Sequence, residues 1–347
     1  MNQILSERQK LILALVIRDY IETAQAVGSL HLVEHYDLDY SSATIRNELQ
    51  ALTELGYLRQ PHTSAGRVPT EEGYRYFVRQ LMGNTDLPIT TKRTITHQFY
   101  QAGPDVDHWM RLAASVLAHQ AQGASWVTAP HPENLYFKHV ELIATRGSQV
   151  LMVLVTMAGD VRQQVLALAE PASQERLSAA ANHLNALCLG MDADGMMALS
   201  GQLDTLEQDV IKLVADDMRQ AGNVLGGEVY RDGITNVLAE PEFAEMEVAR
   251  KALRILEERP LLEDLLTRTV LTTNVGGVQV LIGGEGNWEE LSDCSIVLAR
   301  YGSPGLATGA LGVLGPIRMA YGRTISTVRF VAGLLSDMVV EMHSEGD

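Results

Sequence analysis

Residues 41–67 concentrate side chains suited to recognising duplex DNA. Ser41, Ser42, Ala43, Thr44, Arg46, Asn47 and Gln50 fall within ten positions. Arg bonds guanine O6 and N7, Asn and Gln pair with adenine N6 and N7, and Ala or Thr methyls touch the thymine methyl; a good bidentate pair discriminates by about 1–3 kcal/mol. Ser41 and Ser42 fit phosphate contact or helix capping instead. A second group follows at Arg59, His62, Thr63, Ser64, Gly66 and Arg67, a small-residue turn flanked by arginines. No acidic residue lies between Glu54 and Glu71, so nothing in that stretch repels phosphate. Such a turn can lie along a phosphate strand or enter the minor groove. Two plainer readings compete: Arg46 paired with Glu48, Glu22 or another surface acid, and the turn as an ordinary solvated loop.

These groups need a scaffold. Ile45, Leu49, Leu52 and Leu55 are spaced four, three and three, which predicts a helix that buries them. The same wheel turns Ala43, Asn47, Gln50 and Glu54 outward, with Arg46 on the flank. Ser6 and Gln9 form a capping box ahead of a helix that ends near Thr23. A second helix covers about 29–35, and Gly56 stops the third. Residues 57–60 and 67–69 read as two short strands, which Pro61 and Pro69 confine to edges. Thr70 caps a fourth helix. Three helices, a hairpin and a helix predict a winged helix-turn-helix.

Beyond a polar Gly/Pro stretch at 83–88, helices are expected at about 91–101 and 106–121, then strands at 138–144, 150–157 and 161–169. A helix over 173–188 follows. The chain then turns mostly helical from 191 to 274, with a hairpin expected at 228–238. Strands resume at 278–283 and 294–301, another apolar, Gly-rich segment follows at 307–315, and an amphipathic helix over 321–341 closes the sequence. Strands on either side of a helical block predict one α/β domain carrying an insertion.

The net charge of -16 argues against wholesale nucleic-acid binding, but its distribution does not. Residues 1–82 hold 8 basic and 10 acidic residues, against 19 and 33 in the other 265. The acidity therefore sits outside the first segment. Cys188 and Cys294 lie far apart in apolar contexts and read as buried free thiols of a reducing compartment. No apolar run is long enough for a membrane span, and the N-terminus reads as an amphipathic helix rather than a signal peptide. There is no GxSxG, P-loop or HExxH, and His97, His108, His119, His131 and His139 show no ligand spacing, so neither enzyme, cofactor nor metal is expected.

The block SSATIRNELQALTELGYLRQPHTSAGRVPTEEGYRYFV resembles the heat-inducible transcription repressor family HrcA. Further similar blocks follow the family's order: LSERQKLILALVIRDYIET, VGSLHL, FKHVELI at 137–143, IGGEGNW at 282–288 and LGVLGPIRMAYGRTISTVRFVAGLL at 311–335. The resemblance implies an α+β multidomain chain. Its parts would be a winged helix-turn-helix (1–82), a linker (83–91), and a GAF-like α/β domain (92–190 and 275–347) interrupted by a mainly helical inserted dimerisation domain (191–274). It also implies a cytoplasmic bacterial homodimer, nucleoid-associated when bound. Such a dimer binds double-stranded DNA at an inverted-repeat CIRCE operator, represses chaperone operons and has its activity promoted by the GroE chaperonin. GAF-like domains often hold small molecules, so a ligand-gated regulator is the alternative, with Trp126, Tyr136, Phe137 or Trp288 as pocket candidates. One departure stands out. Where the family usually has a Gly-Glu-Pro-like turn between helices 1 and 2, this chain has Ala24-Gln25-Ala26.

Overall fold

The computed structural model describes residues 5–344 apart from 63–64, 84, 104, 133–134, 169, 222–226, 271–273, 286–287 and 289–290. In chain order the first elements are α1 (Glu7–Thr23), α2 (Ser29–His35), α3 (Ser42–Glu54), β1 (Leu58–Arg59), β2 (Val68–Pro69) and α4 (Glu71–Tyr76). Next come α5 (Ile89–Gln101), α6 (Val106–Ala121), β3 (Ala124–Thr128), β4 (Phe137–Ala144), β5 (Gln149–Thr156), β6 (Val161–Ala167), α7 (Gln174–Cys188), α8 (Ala193–Ala198) and α9 (Thr205–Ala221). The last are β7 (Val229–Asp232), α10 (Ile234–Leu238), α11 (Met246–Glu257), α12 (Arg259–Thr269), β8 (Val278–Ile282), β9 (Cys294–Ser303), β10 (Ala307–Pro316) and α13 (Tyr321–Ser344).

Two compact units result. One gathers Met1–Val127, Val229–Tyr301 and Ala310–Met338; the other gathers Thr128–Glu228, Gly302–Gly309 and Val339–Asp347. The first unit carries an antiparallel β1–β2 pair and a five-stranded sheet in the order β7-β3-β10-β9-β8. Strand β10 is buried along its whole length. Trp126 on β3 is fully buried, and a Cβ on Gly312 of β10 would lie 2.3 Å from its ring, so only glycine fits beneath the indole. The second unit holds the sheet β4-β5-β6, joined by hairpins. Val140, Leu142, Val150, Met152 and Leu154 form a core there with Leu177 and Leu184 of α7 and Val210 and Val214 of α9.

This division differs from the expected one. The strands of 137–167 do not share a sheet with those of 278–316, so the 92–190 and 275–347 segments do not make one domain. The segment that stands apart is 128–228, an α/β unit rather than a helical block at 191–274, and α11 and α12 belong to the first unit. Strand pairing is a long-range choice, and strand periodicity alone carries no address for its partner. The hairpin expected at 228–238 is also replaced. Its first half is β7, at the edge of the five-stranded sheet, and its second half is α10. Gly233 breaks the pair apart with φ 74, and a Cβ there would sit 2.3 Å from the Gly123 carbonyl oxygen.

In the first unit, α1 opens with the expected capping box: Gln9 N–H donates to Ser6 Oγ (3.2 Å) and Ser6 N–H to Gln9 Oε1 (3.0 Å). It closes at Ala24, whose backbone is left-handed (φ 54, ψ 19). This is the turn in which the resemblance implies a glycine, and an L-residue is strained there. Helix α4 is fastened to the end of β8. Arg75 Nη2 donates to the Ile282 and Gly283 carbonyls (2.8 and 2.9 Å) and to Glu71 (2.8 Å), while Arg79 pairs with Glu285 (2.7 Å). Arg318 similarly ties Glu240 and Glu242 to the Ile21 carbonyl at the end of α1.

Ala24→Gly should stabilise the first unit by about 1 kcal/mol, because relief of the left-handed strain outweighs the added chain entropy. A rise in the thermal unfolding midpoint checks this, and a fall would show that the turn is relaxed with alanine.

Candidate nucleic-acid interface

Helix α3 begins where its chemistry requires. Ser41 is extended (φ -69, ψ 151) and its Oγ accepts the Thr44 N–H (3.1 Å). The same hydroxyl lies 2.9 Å from Thr44 Oγ1, so both residues are engaged in the cap. No acidic residue occupies the first turn, which leaves the positive end of the helix macrodipole uncompensated by side chains. Ile45, Leu49 and Leu52 are buried, each worth about 1.5–3 kcal/mol of apolar burial. Ser42, Ala43, Arg46, Asn47 and Gln50 are exposed. Arg46 makes no ion pair among the described residues. Glu48, one of its expected partners, is instead bonded to Arg8 of α1 at 2.5 Å. Asp37 and Asp39 are the exposed acids of the turn before Ser41.

The hairpin is held against α3 rather than standing free. Leu58 pairs with Pro69 and Arg59 with Val68. Val27, between α1 and α2, adds a third bridge, its N–H donating to the Arg67 carbonyl (2.9 Å) and its carbonyl accepting the Arg67 N–H (2.8 Å). Gly66 makes this possible: a Cβ there would lie 2.4 Å from the Val27 carbonyl oxygen. At the tip, Ala65 N–H donates to the His62 carbonyl (2.9 Å), and Gln60 Nε2 donates to the Ala65 carbonyl (3.0 Å). Arg59 and His62 are exposed. Thr63 and Ser64 lie outside the described residues.

Two expected contacts are placed differently from their neighbours. Arg67 turns back onto α3, its Nε donating to Thr53 Oγ1 and its Nη2 to Gln50 Oε1, both at 3.0 Å. Gln50 Nε2 donates in turn to Glu54 (3.0 Å). Arg67 therefore braces the hairpin, and both ends of the Gln50 amide are occupied. Gly66 serves close packing. Among the described residues, the expected side chains left to meet a ligand are Ser42, Ala43, Arg46, Asn47, Arg59 and His62. Of these, Arg46 borders a groove of about 410 Å³ whose lining also includes Gly28, Ser29, Gln60, Gly66 and Arg67. Arg8 is the residue that spacing alone did not flag, since nothing local links it to a helix 40 positions away.

The aromatic residues considered for a small-molecule pocket do not gather. Trp126 is packed on Gly312, Phe137 is fully buried in the other unit's core, and Tyr136 is 44% exposed. Both cysteines are buried, and burial pushes the Cys294 thiol up to about 12. Among the described residues no helix is long and apolar enough to cross a membrane.

A family model described as the HrcA protein C-terminal domain matches residues 107–325. The chain is 44% identical to the heat-inducible transcription repressor HrcA of Roseiflexus castenholzii, covering 99% of this chain and 97% of that one. It is 41% identical to its namesake in Chloroflexus aurantiacus (98% and 95% covered) and 38% identical to that of Thermomicrobium roseum (99% and 98%). A crystal structure of a hypothetical protein shares the fold, with a TM-score of 0.57 at 23% identity over 97% of this chain and 98% of that one.

Gly66→Ala should break the Val27–Arg67 bridge and destabilise the hairpin by about 1–3 kcal/mol. Faster amide exchange at Val27 and Arg67 would register it; unchanged exchange would mean that the close approach relaxes freely.

Proposed function

The chain belongs to the HrcA family of heat-inducible transcription repressors, and we propose that it represses by placing the first turn of α3 in the major groove of an inverted-repeat CIRCE operator, with two copies bound. In this reading residues 1–82 are a winged helix-turn-helix. The observation that carries it is the pairing of exposed Arg46 and Asn47, free of intramolecular ion pairs among the described residues, with a helix start that holds no carboxylate. Helices of this kind present their N-terminal residues to base edges. Arg46 and Asn47 read bases, Ser42 and Ala43 make close contacts, and Arg59 and His62 meet phosphate along the wing. Thr63 and Ser64 are proposed as DNA contacts as well. Ser41 and Thr44 set the helix start, while Gln50, Gly66 and Arg67 hold the wing to the helix.

An inverted repeat is matched by a two-fold protein. The outer face of the β4-β5-β6 sheet suits that role. Its register lines up Ile143, Leu151 and Val165 in one row and Val155 with Val161 in another. Val161 and Val165 are each 59% exposed and Ile143 is 41% exposed. Contiguous apolar patches of this kind mark interaction surfaces. A second copy covering this face would make the 128–228 unit the dimerisation element. The family likeness further supports promotion of activity by the GroE chaperonin. Heat would then draw the chaperonin to unfolded clients and release the chaperone operons.

Titration of the full chain against an inverted-repeat duplex and a scrambled duplex tests the DNA reading. Arg46→Ala should cost about 1–3 kcal/mol on the operator and little on scrambled DNA. Arg59→Ala should weaken both alike and lower the salt slope by about 1. Equal losses for Arg46→Ala on the two duplexes would remove base reading by that residue. Val153→Asp, in the middle of the outer sheet face, should turn a sedimenting dimer into a monomer; a dimer of unaltered strength would place the interface elsewhere.

A further inference from the structure

Glu48 is an anomaly on a helix that has to approach phosphates. It follows Asn47 directly and stacks one turn behind Thr44, on the same flank as the Ser41 cap. Its side chain is only 12% exposed, so its charge is partly withdrawn from water. A carboxylate in that position needs a partner. The partner comes from α1: Arg8 donates from Nε to Glu48 Oε1 at 2.6 Å, and its Nη2 lies 2.5 Å from the same oxygen. The Arg8 guanidinium also sits 5.8 Å from the ring centre of Tyr40, the residue before the Ser41 cap. One arginine thus spans the entry to α3 and the acid about two turns inside it.

We propose that Arg8 is a positioning residue for duplex recognition. By holding the Glu48 carboxylate against α1, it keeps negative charge off the flank of α3 that meets the phosphate strand. Arg8 acts through Glu48, and it need not touch DNA. This inference rests on the reading that α3 enters duplex DNA. Lys10, the nearest other cation of α1, is paired with Glu7 in its own helix, so it offers Glu48 no replacement.

The test is a mutant cycle in the full-length protein. Wild type, Arg8→Ala, Glu48→Gln and the double variant are titrated by fluorescence anisotropy against an inverted-repeat duplex and a scrambled one, over salt from about 50 to 200 mM. Arg8→Ala should lose about tenfold in affinity on both duplexes, with a salt slope shallower by about one unit, because a bare carboxylate opposes one phosphate contact. Adding Glu48→Gln should restore both the affinity and the slope to those of Glu48→Gln alone. Arg8→Lys, which keeps the charge and guards against simple misfolding, should bind within a few-fold of wild type. A double variant as weak as Arg8→Ala overturns the proposal, since Arg8 would then meet phosphate itself. An Arg8→Ala protein that binds normally overturns it as well. Failure of the wild type to bind either duplex would instead remove the DNA reading on which the inference stands.

Discussion

Ile45, Leu49 and Leu52 leave water together, and their spacing puts them on one side of a helix. Everything exposed on the other side of α3 follows from that burial. The helix cannot roll to hide Arg46 or Asn47 without bringing an apolar row into solvent, at a cost of several kcal/mol by the usual area estimate of about 25 cal/mol per Å². The Ser41 cap fixes where the helix begins, and so fixes that these two polar side chains lie in its first turns. A hydrophobic constraint thereby specifies a polar surface.

Six of the seven arginines in the first 82 residues, all but Arg18, divide by what they touch. Arg8 is bound to Glu48, Arg67 to Thr53 and Gln50, Arg75 to Glu71 and two backbone carbonyls, and Arg79 to Glu285. Arg46 and Arg59 stay exposed on the α3 and hairpin face. In a chain of net charge -16 this sorting matters more than the total. Cations that pair internally stiffen the scaffold, and those left over give the scaffold a face that phosphate can approach. The fastening of α4 to β8 by Arg75 works the same way, since it joins that helix to the five-stranded sheet within one compact unit.

Much of this was legible from residue order because it is local. Ser6 with Gln9, Ser41 with Thr44 and Thr70 with Gly73 are contacts between residues three apart, and each marked a helix start correctly. Gly56 (φ 83) closed α3 where expected. What was not legible depends on distant partners. The strands of 137–167 look alike whether they pair with one another or with the C-terminal strands. Arg67 looks like a wing arginine until Gln50 and Thr53 are brought beside it. Gly66 looks like a flexible tip until Val27 passes within touching distance. Ala24, the departure in the turn between α1 and α2, carries the left-handed backbone.

The most direct test of the central claim is to ask where α3 lies on DNA. Ser42 is exposed, and both native thiols are buried, so a Ser42→Cys protein takes a DNA-cleaving reagent at one position. Bound to an inverted-repeat duplex, it should cut within the major groove of each half-site, in a pattern symmetric about the centre of the repeat. Cuts at one site only, cuts outside the half-sites, or binding without any cleavage would contradict the placement of this helix.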